Sequence, residues 1–136
     1  ELHTRLEAAS TKACAEVMPP GSSIIGISSI ASLRAAVRFA GYGAAKAGMN
    51  NLSQTLAIEL APKGIRSNIV SPGQVPTEAT TRVGGVPPEK FSDLAAAIPL
   101  QRVGNPQDIA AAVLYLVSEA GSWVTGQNLI VDGGYT

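Results

Sequence analysis

The stretch that decides the fold reads Ser28-Ser-Ile-Ala-Ser-Leu-Arg-Ala-Ala-Val-Arg-Phe-Ala-Gly-Tyr-Gly-Ala-Ala-Lys46. It begins at the end of 22–28, a short apolar run rich in isoleucine, which predicts a buried strand. It leads into 42–61, where apolar residues recur at three- and four-residue steps, which predicts a helix. The run 65–71 predicts a second buried strand, so strand, helix and strand form a βαβ unit with parallel strands.

Tyr42 and Lys46 stand four residues apart, and residues at this spacing lie on the same face of a helix. The Lys46 ammonium and the positive end of the helix both favour the phenolate form of Tyr42. Ser29 closes the preceding strand and is expected to hydrogen-bond the same substrate oxygen as Tyr42. These groups suit proton transfer during carbonyl reduction or alcohol oxidation.

Further helices and a further strand are predicted along the rest of the chain. Residues 2–18 have a helical apolar stripe, 89–98 predict a short helix, and 105–108 (Asn-Pro-Gln-Asp) are typical of a helix start. Residues 74–88 hold few large apolar side chains and are predicted to form a mobile lid, and 128–131 predict the last strand. The order predicts an α/β fold, the second half of a doubly wound, Rossmann-type parallel sheet with three strands.

Several side chains receive individual predictions. Trp123 is predicted in the core, with a subunit contact as the alternative, Cys14 on a buried helix position, and Val117 on the inward stripe of the last helix. Arg34 and Arg38 are interpreted either as solvated loop charges or as contacts for an acidic substrate. Four residues near the lid are expected either to face substrate or to pack the lid itself: Val86, Phe91, Leu94 and Ile98.

Composition excludes several classes of function. The 136 residues are one domain's worth, and 46% hydrophobic content is enough to bury a core. Ten basic and ten acidic side chains give zero net charge, so nothing recruits nucleic acid or an anionic membrane. One cysteine and one histidine predict no metal site. No apolar run reaches the length of a membrane span, and no leader is seen, so a cytoplasmic protein is expected.

Five motifs in order resemble the short-chain dehydrogenase/reductase family, classical type, in its C-terminal half. Ser29 stands thirteen residues before Tyr42 (42 − 29), Tyr-x-x-x-Lys follows, and Asn-Ile-Val-Ser-Pro-Gly occupies 68–73. The likeness continues through 99–108 and 124–134, and covers nearly all of 1–136. Within the family, the chain resembles the 3-oxoacyl-[acyl-carrier-protein] reductases.

This resemblance implies hydride transfer between NAD or NADP and a small-molecule carbonyl or secondary alcohol. Tyr42 would be the acid in reduction and the base in oxidation, Lys46 would bind the nicotinamide ribose, and Ser29 would orient the substrate oxygen. The catalytic residues implied are Ser29, Tyr42 and Lys46, and those for substrate are Ser29 and Tyr42. The cofactor residues implied are Tyr42, Lys46, Pro72, Gly73, Val75 and Thr77.

The resemblance leaves the substrate open among 3-oxoacyl thioesters, steroids, sugars and small ketones. It also implies a homo-oligomer, a dimer or tetramer, in which the first two helices form a four-helix bundle with a second subunit. The family's glycine-rich phosphate loop is not found, because 41–46 has lysine where the fingerprint requires Gly or Ala. The family's relay asparagine would fall near Glu1. A noncatalytic binding or assembly module therefore remains the alternative.

Overall fold

A parallel sheet organises the computed structural model, which describes residues 2–82 and 87–136. Its strands are β1 (Ser23–Ile27), β2 (Arg66–Pro72) and β3 (Asn128–Val131), in the order β1-β2-β3. Both pairings are parallel, so the carboxyl ends of the three strands meet at one edge of the sheet. The α/β class and the Rossmann-type parallel sheet predicted from the sequence are confirmed.

Helices cover both faces of this sheet. Within the described residues they are α1 (Leu2–Ala15), α2 (Ala40–Leu60), α3 (Glu78–Arg82), α4 (Phe91–Ala96) and α5 (Pro106–Val117). Ser67 Oγ on β2 hydrogen-bonds Ser53 Oγ of α2 at 2.9 Å, whereas the adjacent Arg66 Nη1 donates to Leu116 O of α5 at 2.7 Å. Because successive strand residues point to opposite faces, α2 and α5 enclose the sheet between them.

The core lies where α1 and α2 meet the sheet. Ala15, Leu60 and Ile65 form a buried apolar cluster, and partly buried neighbours pack around it. Burial of a side chain the size of Ile65, which is 1% exposed, stabilises the fold by about 1.5–3 kcal/mol. After α2, Gly64 adopts a left-handed φ of 70° and turns the chain into β2.

A capping box starts α5, as the Asn-Pro-Gln-Asp pattern predicts. Asn105 Oδ1 accepts from the Asp108 N–H at 2.9 Å, and Asp108 Oδ2 accepts from the Asn105 N–H at 2.8 Å. Arg102 also binds both Asp108 oxygens, at 2.7 and 2.9 Å. The Arg102 hydrogen bond, followed by that of the Asn105 N–H, lowers the pKa of Asp108 to about 2.

Three burial predictions are wrong. Trp123 is 98% exposed, Val117 is 45% exposed, and Cys14 is exposed. In α5, Leu116 rather than Val117 fills the buried position. After α5 the chain turns so tightly that a Cβ at Gly121 would lie 2.5 Å from Tyr115 O, and Trp123, two residues later, projects into solvent.

The predicted lid contains a helix that the sequence pattern did not indicate, α3. Further along, Ile98 is 1% exposed and lies beside Gly133, so it packs the fold rather than facing a ligand. Val86 lies outside the described residues. No helix within 2–82 and 87–136 has both the length and the apolar content needed to cross a bilayer.

Candidate active site

Ser29 is the second residue after β1, at the carboxyl edge of the sheet. Its backbone is extended (φ −166°, ψ 155°), and its Oγ accepts from the Ala31 N–H at 3.1 Å, which starts a single helical turn at Ile30–Ser32. A hydroxyl offers one donor and two acceptor positions, so this contact leaves the Ser29 hydrogen for another oxygen. The preceding Ser28 is buried and donates to Lys46 O at 3.1 Å.

Tyr42 lies in the first turn of α2 and is 46% exposed. Its ring meets Phe39 edge to face, with centroids 5.8 Å apart and an interplanar angle of 79°. Lys46 follows one turn later, and its Nζ lies 5.8 Å from the centroid of the Tyr42 ring. The helix therefore brings the ammonium beside the phenol.

Lys46 also fastens α2 to the end of β1. Its Nζ donates to Ile27 O at 2.8 Å and lies 3.5 Å from Met49 Sδ. The Ser28 bond to Lys46 O runs in the opposite direction, from the residue after β1 to the helix. Two hydrogen bonds of opposite polarity thus hold the first half of α2 against the carboxyl end of β1, where Ser29 lies.

The turn after β2 is built on a close backbone approach. The Gly73 N–H donates to Val131 O at 2.9 Å, and a Cβ at Gly73 would lie 2.5 Å from Asp132 Cβ and 2.7 Å from Asp132 Cα. Only glycine fits such an approach. Pro72 and Val75, on either side, are half-buried. Among residues 2–82 and 87–136, the Val75 N–H donates to no acceptor.

Thr77 has a structural contact that sequence reasoning missed. Its Oγ1 accepts from the Thr80 N–H at 3.2 Å, while the Thr77 N–H donates to Thr80 Oγ1 at 2.8 Å. Thr77 therefore caps α3, which begins at the next residue. Thr77 is a favoured residue type for a helix N-cap, but the segment that follows has no apolar periodicity that would indicate a helix.

The C-terminal turn approaches the loop that follows Ser29. Arg34 Nη1 donates to Tyr135 O at 3.1 Å, and the guanidinium lies 4.9 Å from the centroid of the Tyr135 ring. Asp132 organises this turn by accepting from the Gly134 N–H and from the N–H and Oγ1 of Thr136. Partial burial raises the pKa of Asp132, but these hydrogen bonds outweigh burial and leave the pKa lowered.

An open cleft of about 370 Å³ lies between residues 31–36 and the start of α2. Phe39, Gly43 and Ala47 line it, whereas neither Ser29 nor Lys46 does, so it borders the site rather than coinciding with it. Within the part of the chain that the structure describes, no group of three or more His, Cys, Asp or Glu side chains is placed to hold a metal ion.

Comparison with known proteins places this geometry in a family. The family model described as "Enoyl-(Acyl carrier protein) reductase" matches residues 7–136. The chain belongs to the short-chain dehydrogenase/reductase family. The family is one of oxidoreductases, and the resemblance inferred from the five motifs is confirmed.

Among the relatives, the 7alpha-hydroxysteroid dehydrogenase of Paraclostridium sordellii is 42% identical over 116 residues, which are 85% of this chain and 43% of that protein. A short-chain dehydrogenase from Burkholderia cenocepacia in complex with NADP has a TM-score of 0.85 and 28% identity, over 96% of this chain and 52% of that one. A 4-hydroxyisoleucine dehydrogenase complexed with NADH and succinate has a TM-score of 0.74 and 33% identity, over 84% and 46%. The chain thus spans about half the length of the short-chain dehydrogenases it matches.

Two sequence interpretations concern the family's remaining motifs. Residues 41–46, which do not match the phosphate-loop fingerprint, lie within α2. Glu1, the expected position of the relay asparagine, lies outside the described residues. Sequence reasoning also missed Asn50, whose Nδ2 donates to Ser32 Oγ at 2.8 Å. The signal was its spacing, since Asn50 follows Lys46 by one more helical turn on the same face.

Proposed function

We propose that the complete protein interconverts a carbonyl and a secondary alcohol with NAD or NADP. The nicotinamide, when bound, supplies or accepts the hydride. The observation that carries the proposal is the Lys46 ammonium 5.8 Å from the Tyr42 ring centroid, on a helix fastened to the strand end that leads into Ser29. A cation beside a phenol stabilises the negative charge that develops on the phenol oxygen when it gives up its proton to a substrate.

Each residue has a separate task in this proposal. The Tyr42 hydroxyl gives its proton to the substrate oxygen in reduction and takes one in oxidation. Lys46 stabilises the charge left on Tyr42 and binds the nicotinamide ribose. The Ser29 hydroxyl donates to the same substrate oxygen, because its acceptor side is already engaged by the Ala31 N–H.

The turn after β2 suits a nicotinamide carboxamide. The Val75 N–H, which has no acceptor among the described residues, is a donor for the carboxamide oxygen, and Pro72 and Gly73 set the course of the chain beside it. The Thr77 hydroxyl would hydrogen-bond the carboxamide while its oxygen caps α3. Ligands of open α/β sheets bind at this carboxyl edge. Since solved relatives hold NADP in one case and NADH in another, both cofactors belong in the test.

The substrate classes to test are hydroxysteroids and their ketones, 3-oxoacyl thioesters, sugars and small ketones. The experiment follows oxidation of NADH and of NADPH by the complete protein with such a panel. Tyr42→Phe is expected to lower kcat by about 100- to 10,000-fold, the usual contribution of a general acid or base. Binding of the reduced cofactor, followed by its fluorescence, should persist in the variant.

Tyr115→Phe is the matched control, because Tyr115 is a tyrosine on α5 with 44% exposure and no part in the site. Near-normal turnover of Tyr42→Phe would refute the proposed acid and base. Cofactor binding without turnover of any substrate by the wild type would favour the alternative, a noncatalytic binding or assembly module.

We also propose that the protein is a homo-oligomer, a dimer or tetramer, whose contact uses α1 and α2. Leu6 on α1 is 57% exposed and Ile58 on α2 is 77% exposed, so an association through these helices would remove both side chains from water. Light scattering coupled to size exclusion tests the mass, and Ile58→Lys should shift it toward the monomer. A wild-type monomer at micromolar concentration would contradict the proposal.

A further inference from the structure

The turn that carries Ser29 is tied to α2 by a chain of two side-chain hydrogen bonds. Asn50 Nδ2 donates to Ser32 Oγ at 2.8 Å, and Ser32 Oγ donates to the backbone Ser29 O at 2.6 Å. The Ser32 N–H also donates to Ser29 O, at 3.0 Å. The three residues form one connected unit, the Asn50–Ser32–Ser29 chain.

The direction of each bond in this chain follows from the number of hydrogens available. The Ser32 hydroxyl has one hydrogen, and Ser29 O can only accept, so that hydrogen points to Ser29 O. Ser32 Oγ must then accept from its other neighbour, which places the Asn50 amide nitrogen, and not its oxygen, against Ser32. A reversed amide would set two acceptors face to face.

This orientation leaves Asn50 Oδ1 buried without a hydrogen-bond partner among the described residues. A buried polar atom without a partner is destabilising, and an apolar side chain of similar volume would avoid the penalty. The amide at this position therefore carries a cost to stability. In return, the Asn50 amide fixes the position of Ser32 by its hydrogen bond, and Ser32 in turn fixes Ser29.

Both oxygens of Ser29 are oriented by this turn. The carbonyl oxygen accepts from Ser32, and Oγ accepts from the Ala31 N–H at 3.1 Å. Because one acceptor position of Ser29 Oγ is occupied by the Ala31 N–H, fewer directions remain open to the hydroxyl hydrogen. Preorganised donors of this kind are the ones that stabilise charge on a reacting oxygen most effectively.

We propose that Asn50 and Ser32 are positioning residues that hold the Ser29 hydroxyl in its donating orientation. The proposal rests on the function proposed above. In this proposal Asn50 and Ser32 act on the reaction only through Ser29. Their loss therefore lowers kcat and leaves the affinity for the reduced cofactor unchanged.

Three variants of the complete protein test it. Asn50→Ala removes the donor, Asn50→Asp keeps the shape but offers only acceptors, and Ser32→Ala removes the middle of the chain. Each should lower kcat by about five-fold, the rate equivalent of one net hydrogen bond. The double variant of Asn50→Ala with Ser32→Ala should lose no more than either alone, because both changes break the same chain.

Asn51→Ala is the matched control, since Asn51 is the same residue type on the same helix and is exposed. The expected result is wild-type kcat for Asn51→Ala. Unchanged kcat in both Asn50→Ala and Asn50→Asp, or additive losses in the double variant, would overturn the proposal.

A second measurement does not depend on turnover and separates this proposal from the one on which it rests. Amide hydrogen exchange at Ala31 and Ser32 reports the bonds that these groups donate to Ser29. Exchange there should quicken by about five-fold in Asn50→Ala, with no change at the buried amides of β2. If the wild type turns over no carbonyl, the proposed function fails. Faster exchange at Ala31 and Ser32 in Asn50→Ala would still support the role of the Asn50–Ser32–Ser29 chain in holding Ser29. Unchanged exchange in Asn50→Ala and Ser32→Ala would overturn it.

Discussion

Gly73→Ala tests whether the turn after β2 depends on the close approach of two backbones. The added Cβ would lie 2.5 Å from Asp132 Cβ and 2.7 Å from Asp132 Cα, where about 3.5–4.0 Å is comfortable. Asp132 is not free to yield, because its side chain accepts from residues 134 and 136. The turn or the end of β3 must therefore shift by about 1 Å.

Overpacking of this kind destabilises by about 1–3 kcal/mol. For a chain of this length each kcal/mol corresponds to about 3–5 °C in Tm, so Tm should fall by about 3–15 °C. The displaced turn should also weaken binding of NADPH or NADH, measured by fluorescence titration. Thermal unfolding followed by circular dichroism gives the first quantity on the same samples.

Gly41→Ala is the matched control, because a Cβ there meets nothing within 4 Å. Gly41 lies in the first turn of α2, where alanine is favoured over glycine by up to about 1 kcal/mol, so its Tm should stay the same or rise. Equal melting temperatures for Gly73→Ala and the wild type would refute the steric reasoning. A fall in Gly41→Ala as large as in Gly73→Ala would show that glycine loss in general, and not contact with Asp132, is responsible.

Two further predictions concern strain and charge. Arg38 has a φ of +71°, which is unfavourable by about 1–2 kcal/mol for a residue that carries a side chain. Because glycine avoids this cost, Arg38→Gly should be more stable to urea unfolding than Arg38→Ala by up to about 1 kcal/mol. Equal stability of the two variants would contradict this prediction. The pKa of Asp108 is lowered, first by Arg102, so its contribution to stability is present above the unfolded pKa of about 4 and is lost as pH falls toward 2. Asp108→Asn should therefore unfold at a lower temperature than the wild type at neutral pH, with the gap closing between pH 4 and 2; a gap independent of pH would count against the Arg102 contact.

Local patterns in the sequence were enough to predict the sheet. The isoleucine-rich run at β1 and the apolar run at β2 are short and bounded by turn residues, and the long periodic segment between them is too long for a strand. The parallel crossover then follows from chain geometry, which places the ends of β1 and β2 at one edge. Tyr42 and Lys46 share a helical face for the same kind of local reason.

Exposure of individual side chains was harder to predict, because it depends on the route of the chain between elements. Trp123 is the clearest case. Its burial was expected from residue type alone, whereas its 98% exposure follows a tight turn in which the backbone of Gly121 packs against the end of α5. No periodic pattern runs through such a turn, so no sequence signal tells on which side the tryptophan emerges.

Contacts between residues far apart in the sequence were hard to predict for the same reason, because they too depend on the route of the chain between elements. Arg34 was open to two interpretations, and its actual partner, Tyr135, is 101 residues away in the chain. The Asn50 contact with Ser32 is nearer in sequence, at 18 residues, yet it depends on how closely α2 approaches the turn after β1. That approach is set by Lys46, whose ammonium reaches Ile27 O and whose own carbonyl accepts from Ser28. Lys46, which is proposed to stabilise charge on Tyr42, thus also sets the position of α2 on which the Asn50–Ser32–Ser29 chain depends. Replacing Lys46 would therefore disturb both the charge on Tyr42 and the orientation of Ser29.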